Sequence, residues 1–239
     1  VNKSQAKDKR GKFFTMRQGS SDIDGFYVKL STDLLVNEYL SGKLNYDWYE
    51  KRGFGYGFNG TYSIPHDRGN GSLYYYGLNE TKKGHYNKQV NWSYNLTFKS
   101  GETLSTTINY TGDKYNGQAE NQDMTVTATF RPVLKFINMV ININKFYDLD
   151  KDKYILDKAY QFVNRLPEIN FSFPAWTAPI IPLTVNFSGM YGHYEESEGE
   201  GKRDTEKKDG RLSFTVPAIE IHPRFQFTPS YNFEKSYYT

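Results

Sequence analysis

Gln89-Val90-Asn91-Trp92-Ser93-Tyr94-Asn95-Leu96-Thr97-Phe98-Lys99 alternates without interruption. With a side-chain period of two, Val90, Trp92, Tyr94, Leu96 and Phe98 line one face of an extended strand. Asn91, Ser93, Asn95, Thr97 and Lys99 line the other. The pattern recurs on both sides of this stretch. Phe54, Tyr56, Phe58, Tyr62 and Ile64 share one parity against Gly55, Gly57, Asn59, Thr61 and Ser63. Further on, Met124, Val126, Ala128 and Phe130 oppose Thr125, Thr127 and Thr129, and Leu183, Val185, Phe187 and Tyr191 oppose Thr184, Asn186 and Ser188.

Read this way, the chain holds about twelve strands. Their expected spans are 26–36, 43–50, 54–64, 72–79, 88–99, 103–111, 123–131, 134–146, 160–172, 183–194, 211–221 and 224–234, with a short one at 12–18. Several reach ten residues, whereas strands of soluble domains usually have about five or six. A tilted strand needs about 9–11 residues to cross a bilayer. From residue 100 onward the connections are expected to alternate between tight turns (100–101, 131–133, 222–223) and long loops (112–122, 147–159, 195–210), with 174–182 intermediate and the short 51–53 an exception in the first third. Outer-membrane barrels have that rhythm. Glu195–Gly210 reads as the longest loop, a solvated hairpin tip of mixed charge.

Composition narrows the function classes. Thirty Lys and Arg against 27 Asp and Glu leave a net charge of +3, too small to argue for a nucleic-acid partner. No Cys is present, which excludes disulfides and thiolate chemistry. Mean hydropathy is low at −0.74, yet aromatics make up 17% of the chain, with 21 Tyr and 17 Phe. Strands with one aromatic face and one hydrophilic face reconcile the two values. The longest uncharged stretch, 169–194, is interrupted by Pro174, Pro179 and Pro182, so no apolar run is long enough for a spanning helix.

Chemistry-bearing motifs are absent. His66, His85, His193 and His222 fall beside different turns, and no pair of them has metal-ligand spacing. Neither a Gly-x-Ser-x-Gly elbow nor a phosphate loop occurs. Asp148, Asp150 and Asp152 lack the Gly and terminal Glu of a calcium loop and read as an exposed charged segment. The expectation is therefore a non-enzyme without cofactor, metal or catalytic residues.

A soluble sandwich would bury the aromatic faces and wet the polar ones, and a membrane barrel would do the reverse. Strand length, loop rhythm and the rings near strand ends favour the barrel. Tyr46, Trp48 and Tyr49, with Tyr74, Tyr75 and Tyr76, are expected to form aromatic girdles. The expected fold is thus all-β, an antiparallel transmembrane β-barrel of about twelve strands. It would occupy residues 1–239 as one domain or barrel segment, with 1–11 either disordered or leading in from a missing N-terminal domain. The Asn91–Lys99 polar set, with Thr125, Thr127 and Thr129, would line the lumen, and the Val90–Phe98 apolar set would face lipid.

Two stretches carry a family resemblance. Lys51-Arg52-Gly53-Phe54-Gly55-Tyr56-Gly57-Phe58, followed by Gly71-Ser72-Leu73-Tyr74-Tyr75-Tyr76, resembles the early barrel of the lipopolysaccharide-assembly outer-membrane proteins (the organic-solvent-tolerance, or LptD, family). Arg165-Leu166-Pro167 resembles that family's later Arg-Leu-Pro segment, and His222-Pro223-Arg224-Phe225 is similar to a strand that follows it. The resemblance implies an outer-membrane protein that receives lipopolysaccharide from a periplasmic bridge protein and releases it to the outer leaflet. A lipoprotein plug in the lumen would be its partner. It also implies that this chain supplies only part of a larger barrel, since family barrels have many more than about twelve strands. Two alternatives stand beside it: a free-standing porin or adhesin barrel, and a secreted soluble β protein that binds carbohydrate.

Overall fold

The computed structural model describes residues 14–34, 37–64, 68–115, 120–149, 162–178, 183–198, 201–216, 219–222 and 225–239. Among these there is no helix. The strands are β1 (Phe14–Ser21), β2 (Gly25–Leu34), β3 (Leu40–Tyr49), β4 (Gly53–Ile64), β5 (Gly69–Glu80), β6 (His85–Thr97), β7 (Thr103–Tyr115) and β8 (Glu120–Arg131). They continue as β9 (Asn138–Asp148), β10 (Phe162–Ser172), β11 (Trp176–Thr177), β12 (Thr184–Glu198), β13 (Gly201–Thr215), β14 (Ile219–His222), β15 (Phe225–Phe227) and β16 (Ser230–Tyr238). Antiparallel pairing in sequence order builds a 14-stranded sheet running β1 through β10, then β12, β13 and β16, with β11 joined to β12. β14 and β15 form a separate two-stranded sheet.

The all-β antiparallel class agrees with the alternation, but the expected barrel closure is not found. β1 and β16 stand at the two ends of the strand order, and no pairing joins them among the described residues. Alternation dictates which residues share a face and pairs neighbouring strands. Closure depends in addition on strand number, tilt and shear, which no local pattern encodes.

Loop lengths also differ from expectation. The supposed loop at 195–210 is mostly strand, because β12 and β13 are each 15 residues long and pair through Glu198↔Gly201. Glu196 stands opposite Arg203, a pair of opposite charges that helps a hydrophilic segment stay paired, although Glu195 faces Asp204 on the next rung. Likewise 112–122 shrinks, since β7 runs to Tyr115 and β8 starts at Glu120. Strict alternation of tight and long connections does not survive. The turn at 98–102 does, closed by Gly101 N–H donating to the Phe98 carbonyl at 3.0 Å, with Gly101 at φ +99. The leader at 1–11, together with His66, Asp150, Asp152, Pro223 and Arg224, lies outside the described residues.

Contacts divide the chain into two compact units. The first is Val1–Thr97, Ser105–Val126 and Tyr147–Ile155; the second is Phe98–Leu104, Thr127–Phe146 and Leu156–Thr239.

Candidate functional site

In the first unit the register sorts side chains into two continuous faces. One row reads Phe14, Thr32, Leu44, Phe58, Tyr75 and Val90 across β1–β6. The next on the same face reads Met16, Leu30, Tyr46, Tyr56, Gly77 and Lys88. The opposite face has Arg17, Lys29, Asp47, Gly55, Leu78 and Asn87 in one row and Asp33, Lys43, Asn59, Tyr74 and Asn91 in another.

Exposure runs against what a water-soluble sheet would show. On the apolar face Phe14 is 56% exposed, Leu44 42% and Trp48 43%. Glycines aside, the buried residues of this unit are Asp47, Tyr49, Leu78 and Glu80, and all four side chains belong to the polar face. Side chains there bond to one another: the Tyr49 and Tyr76 hydroxyls donate to Asp47 Oδ2 at 3.1 and 2.9 Å. Lys29 Nζ sits 5.2 Å from the Tyr49 ring centre and 5.4 Å from that of Tyr27. Gly55 supplies the room, since a Cβ at that position would strike the Tyr76 ring. Beside this network a cavity of about 520 Å³ is lined by Arg17, Lys29, Lys43, Asp47, Tyr74 and Tyr76.

Two polar-tipped aromatic clusters mark the apolar face. Near the 50–52 and 81–84 turns, the hydroxyls of Tyr56, Tyr75 and Tyr86 meet over Gly77. Toward the other end, Trp92 Nε1 donates to the Tyr62 hydroxyl at 3.0 Å, and Tyr94 stacks on both rings. Between the clusters lie Leu44, Phe58, Leu73 and Val90. The aromatic girdle expected from the sequence is therefore redistributed. Tyr46, Trp48 and Tyr75 share the apolar face, whereas Tyr49, Tyr74 and Tyr76 belong to the polar one. Runs of consecutive Tyr necessarily split between faces, because neighbours on a strand point in opposite directions.

The polar set of β6 sits together: Asn91 opposite Tyr74, Ser93 opposite Ser72 with hydroxyls 2.7 Å apart, and Asn95 opposite Asn70. Thr97 ends the strand, and Lys99 lies beyond it in the turn. On the apolar side Val90, Trp92, Tyr94 and Leu96 pair with Tyr75, Leu73, Gly71 and Gly69. Phe98 is past the strand and packs edge-on against Phe130 at 6.4 Å. Thr125 and Thr127 stand on β8, and Thr129 donates to Asn142 Oδ1 at 3.0 Å.

Both family-like motifs have a structural role. Arg52 lies in the 50–52 turn and staples three strand ends. Its Nε donates to Glu80 Oε1 at 2.5 Å and its Nη1 reaches Asp24 Oδ1 at 3.3 Å. Glu80 accepts in turn from His85 Nδ1 at 2.8 Å and pairs with Lys83 at 3.7 Å, while His85 Nε2 contacts Asp113. These groups flank turns, outside the 9–11 residues that a strand needs to span. Burial disfavours the Glu80 carboxylate, but the His85 and Arg52 bonds more than offset it and hold its pKa down at about 2. Burial likewise opposes the His85 imidazolium, yet the two flanking carboxylates raise its pKa above the usual value. Gly53 has φ +124 and leaves no space for a Cβ against the Asn79 carbonyl, so the residue after Arg52 must be glycine.

In the second unit Arg165-Leu166-Pro167 forms a β-bulge, where the register shifts between Arg165 and Glu168 against both β9 and β12. The Leu166–Pro167 bond is cis. Proline lacks the N–H a ladder requires, and a bulge accommodates it. Glu168 beyond the bulge accepts from the Tyr194 hydroxyl and from Asn170 Nδ2, each at 2.9 Å.

Sequence reasoning missed Glu80, Asp113 and Asp47, and it weighed His85 only for metal spacing and Tyr76 only as a girdle residue. Only the charged residues bracketing Thr81–Gly84 offered a signal, because the Arg52–Glu80, His85–Asp113 and Tyr76–Asp47 partners stand 28 or 29 residues apart in the chain. Among the described residues, no group of three or more His, Asp or Glu is arranged to hold a metal ion. No family model matches the chain, and no curated protein matches it.

Proposed function

We propose that this chain is part of an outer-membrane β-barrel that moves lipopolysaccharide to the outer leaflet. The observation that carries the membrane part is the inverted exposure of the first unit: rings and aliphatic side chains such as Phe14, Leu44, Tyr46 and Trp48 lie open on one face, and the buried side chains Asp47, Tyr49, Leu78 and Glu80 lie on the polar face. In water, open apolar surface on this scale costs about 25 cal/mol per Å². In lipid that cost vanishes, and every ladder bond still satisfies the backbone.

Strand dimensions support the same reading. Tyr56 and Tyr62 are six residues apart on β4 and Tyr86 and Tyr94 eight apart on β6, about 20 and 26 Å along the strands. A tilt of about 40° reduces this to about 15–20 Å, less than the apolar band of about 25 Å of outer-membrane barrels. The 12 residues of β4 and the 13 of β6, however, exceed the roughly 9–11 that a tilted crossing needs. The polar face would line a wet lumen, where a lipoprotein plug and the sugar portion of the lipid could be accommodated. The step from membrane sheet to lipopolysaccharide rests on the resemblance of the Arg52-Gly53 and Arg165-Leu166-Pro167 segments.

Purification tests the membrane part. The chain should need detergent and float with phospholipid vesicles; a monodisperse monomer in plain buffer would sink the reading. Copurification of a small lipoprotein supports the transport role, whereas ion conductance by the chain alone favours the porin reading, for which the charged polar-face cavity is the supporting observation.

A further inference from the structure

The three tyrosine hydroxyls on the apolar face are poorly satisfied. Tyr56 and Tyr86 are 3.1 Å apart, and Tyr75 is 3.4 Å from each. Good O–H···O bonds are near 2.7–2.8 Å. Three hydroxyl donors thus converge on one spot of an otherwise apolar surface with only long contacts to each other. Gly77 holds the spot open, since a Cβ there would come within 3.3 Å of all three side chains. Lys88 stands beside Gly77 in the register. Its ammonium pairs with Glu120 and hydrogen-bonds the Tyr110 side chain, whose ring centre lies 5.4 Å away, and two partners leave one of three N–H donors.

An apolar groove adjoins the hydroxyls. Its volume is about 480 Å³, and Phe14, Leu30, Leu44, Phe58, Tyr56 and Tyr75 are among its lining residues. Two of the rings that line the groove therefore carry two of the three hydroxyls. A greasy channel leading to a cluster of donors and an ammonium group matches one kind of molecule in shape and polarity.

We propose that this is a binding site for a single glycerophospholipid, with an acyl chain in the groove and the phosphodiester on Tyr56, Tyr75 and Tyr86 beside Lys88. The site rests on the membrane reading above and extends it by giving the apolar face a specific lipid. The hydroxyls would rotate from each other onto the phosphate oxygens, so each donor gains an anionic acceptor. An aromatic ring with a polar tip suits this boundary, where the ring stays in hydrocarbon and the hydroxyl reaches the head groups.

The test uses the full chain in detergent, with phosphatidylglycerol as probe and native mass spectrometry as readout. Wild type should retain one phosphatidylglycerol per chain and hold it at least tenfold more tightly than a diacylglycerol with the same acyl chains. Y56F/Y75F/Y86F keeps the rings and should lose about tenfold of that retention. The single variants Tyr75→Phe and Lys88→Met should each lose a smaller part, and they keep the test alive if the triple variant fails to fold. Equal retention by wild type and a folded variant lacking the hydroxyls would overturn the site, as would equal retention of the phosphate-free lipid. Vesicle flotation is scored separately. Flotation without hydroxyl-dependent retention removes this site alone, and retention without flotation removes the membrane reading while supporting the site.

Discussion

His85 has a carboxylate on each ring nitrogen, Glu80 at 2.8 Å and Asp113 on the far side, with the Tyr115 ring stacked 4.2 Å away. Arg52, Lys83 and Asn87 complete the surrounding groups, and Asp24 joins through Arg52. The sign of the pH dependence follows from the two shifts. The raised His85 pKa adds stability that is fully present below the unfolded value near 6.5 and is lost as pH rises through the folded value. The lowered Glu80 pKa adds stability that is present above the unfolded value near 4.5 and is lost as pH falls toward about 2. Together they place the firmest rim between about pH 4.5 and 6.5. Urea midpoints of the chain in vesicles should fall as pH rises above that window, and His85→Gln should flatten the decline. Arg52→Ala should cost about 1–3 kcal/mol at any pH in the window, because Glu80 is 6% exposed and loses its main cation while Arg52 itself is a third exposed. An unchanged midpoint in R52A would remove the stapling role.

At the scale of the strand, β6 separates the competing readings. Val90 shares a face with Tyr75 and Phe58, and its chain neighbour Asn91 shares the other with Tyr74 and Asn59. If the apolar face meets lipid, Val90→Lys should cost about 2–4 kcal/mol in vesicle refolding, and Asn91→Lys well under half of that. Similar costs for both would argue against a bilayer on the apolar side. The long β12–β13 hairpin belongs to the same scale. Its inner half pairs Phe187 with Leu212 and Val185 with Phe214, and its outer half pairs Glu195 with Asp204 and Glu196 with Arg203. Fifteen residues exceed the 9–11 that a crossing requires. The charged half is therefore predicted to stand in water: nitroxide labels at Glu196 should meet a water-soluble relaxation agent, and labels at Leu212 should meet oxygen dissolved in lipid. Equal exposure of the two labels to the aqueous agent would refute the crossing.

For the molecule as a whole, the two ends of the strand order have a measurable consequence. Among the described residues β1 and β16 each have a partner on one side only, and all nine residues of β16 are exposed. An edge strand offers unpaired N–H and C=O groups, a template for further pairing. Amide exchange in detergent should be fastest in β1 and β16 and slowest in β4 and β5, which are paired on both sides. Slow exchange along β16 would instead mean that another strand covers it in solution.

The chain's own alternation was enough to determine strand identity, the antiparallel class and the sorting of residues such as Val90, Trp92, Asn91 and Ser93 into two faces. Period two is a local property of the backbone, readable wherever apolar and polar residues take turns. Strand ends were less legible. The charged stretch at 195–210 looked like a loop until its cross-strand partners were known, and consecutive rings such as Tyr74, Tyr75 and Tyr76 could not be assigned before the register was. Only the tertiary structure brought Arg52 to Glu80 and Asp24, set Tyr49 and Tyr76 on Asp47, and gathered three tyrosine hydroxyls over Gly77. It alone put β1 and β16 at the two ends of the strand order, with no pairing between them among the described residues. The physical reason is range: alternation acts between neighbours in the chain, whereas ion pairs, hydroxyl clusters and closure depend on residues that meet only after several strands have found their register.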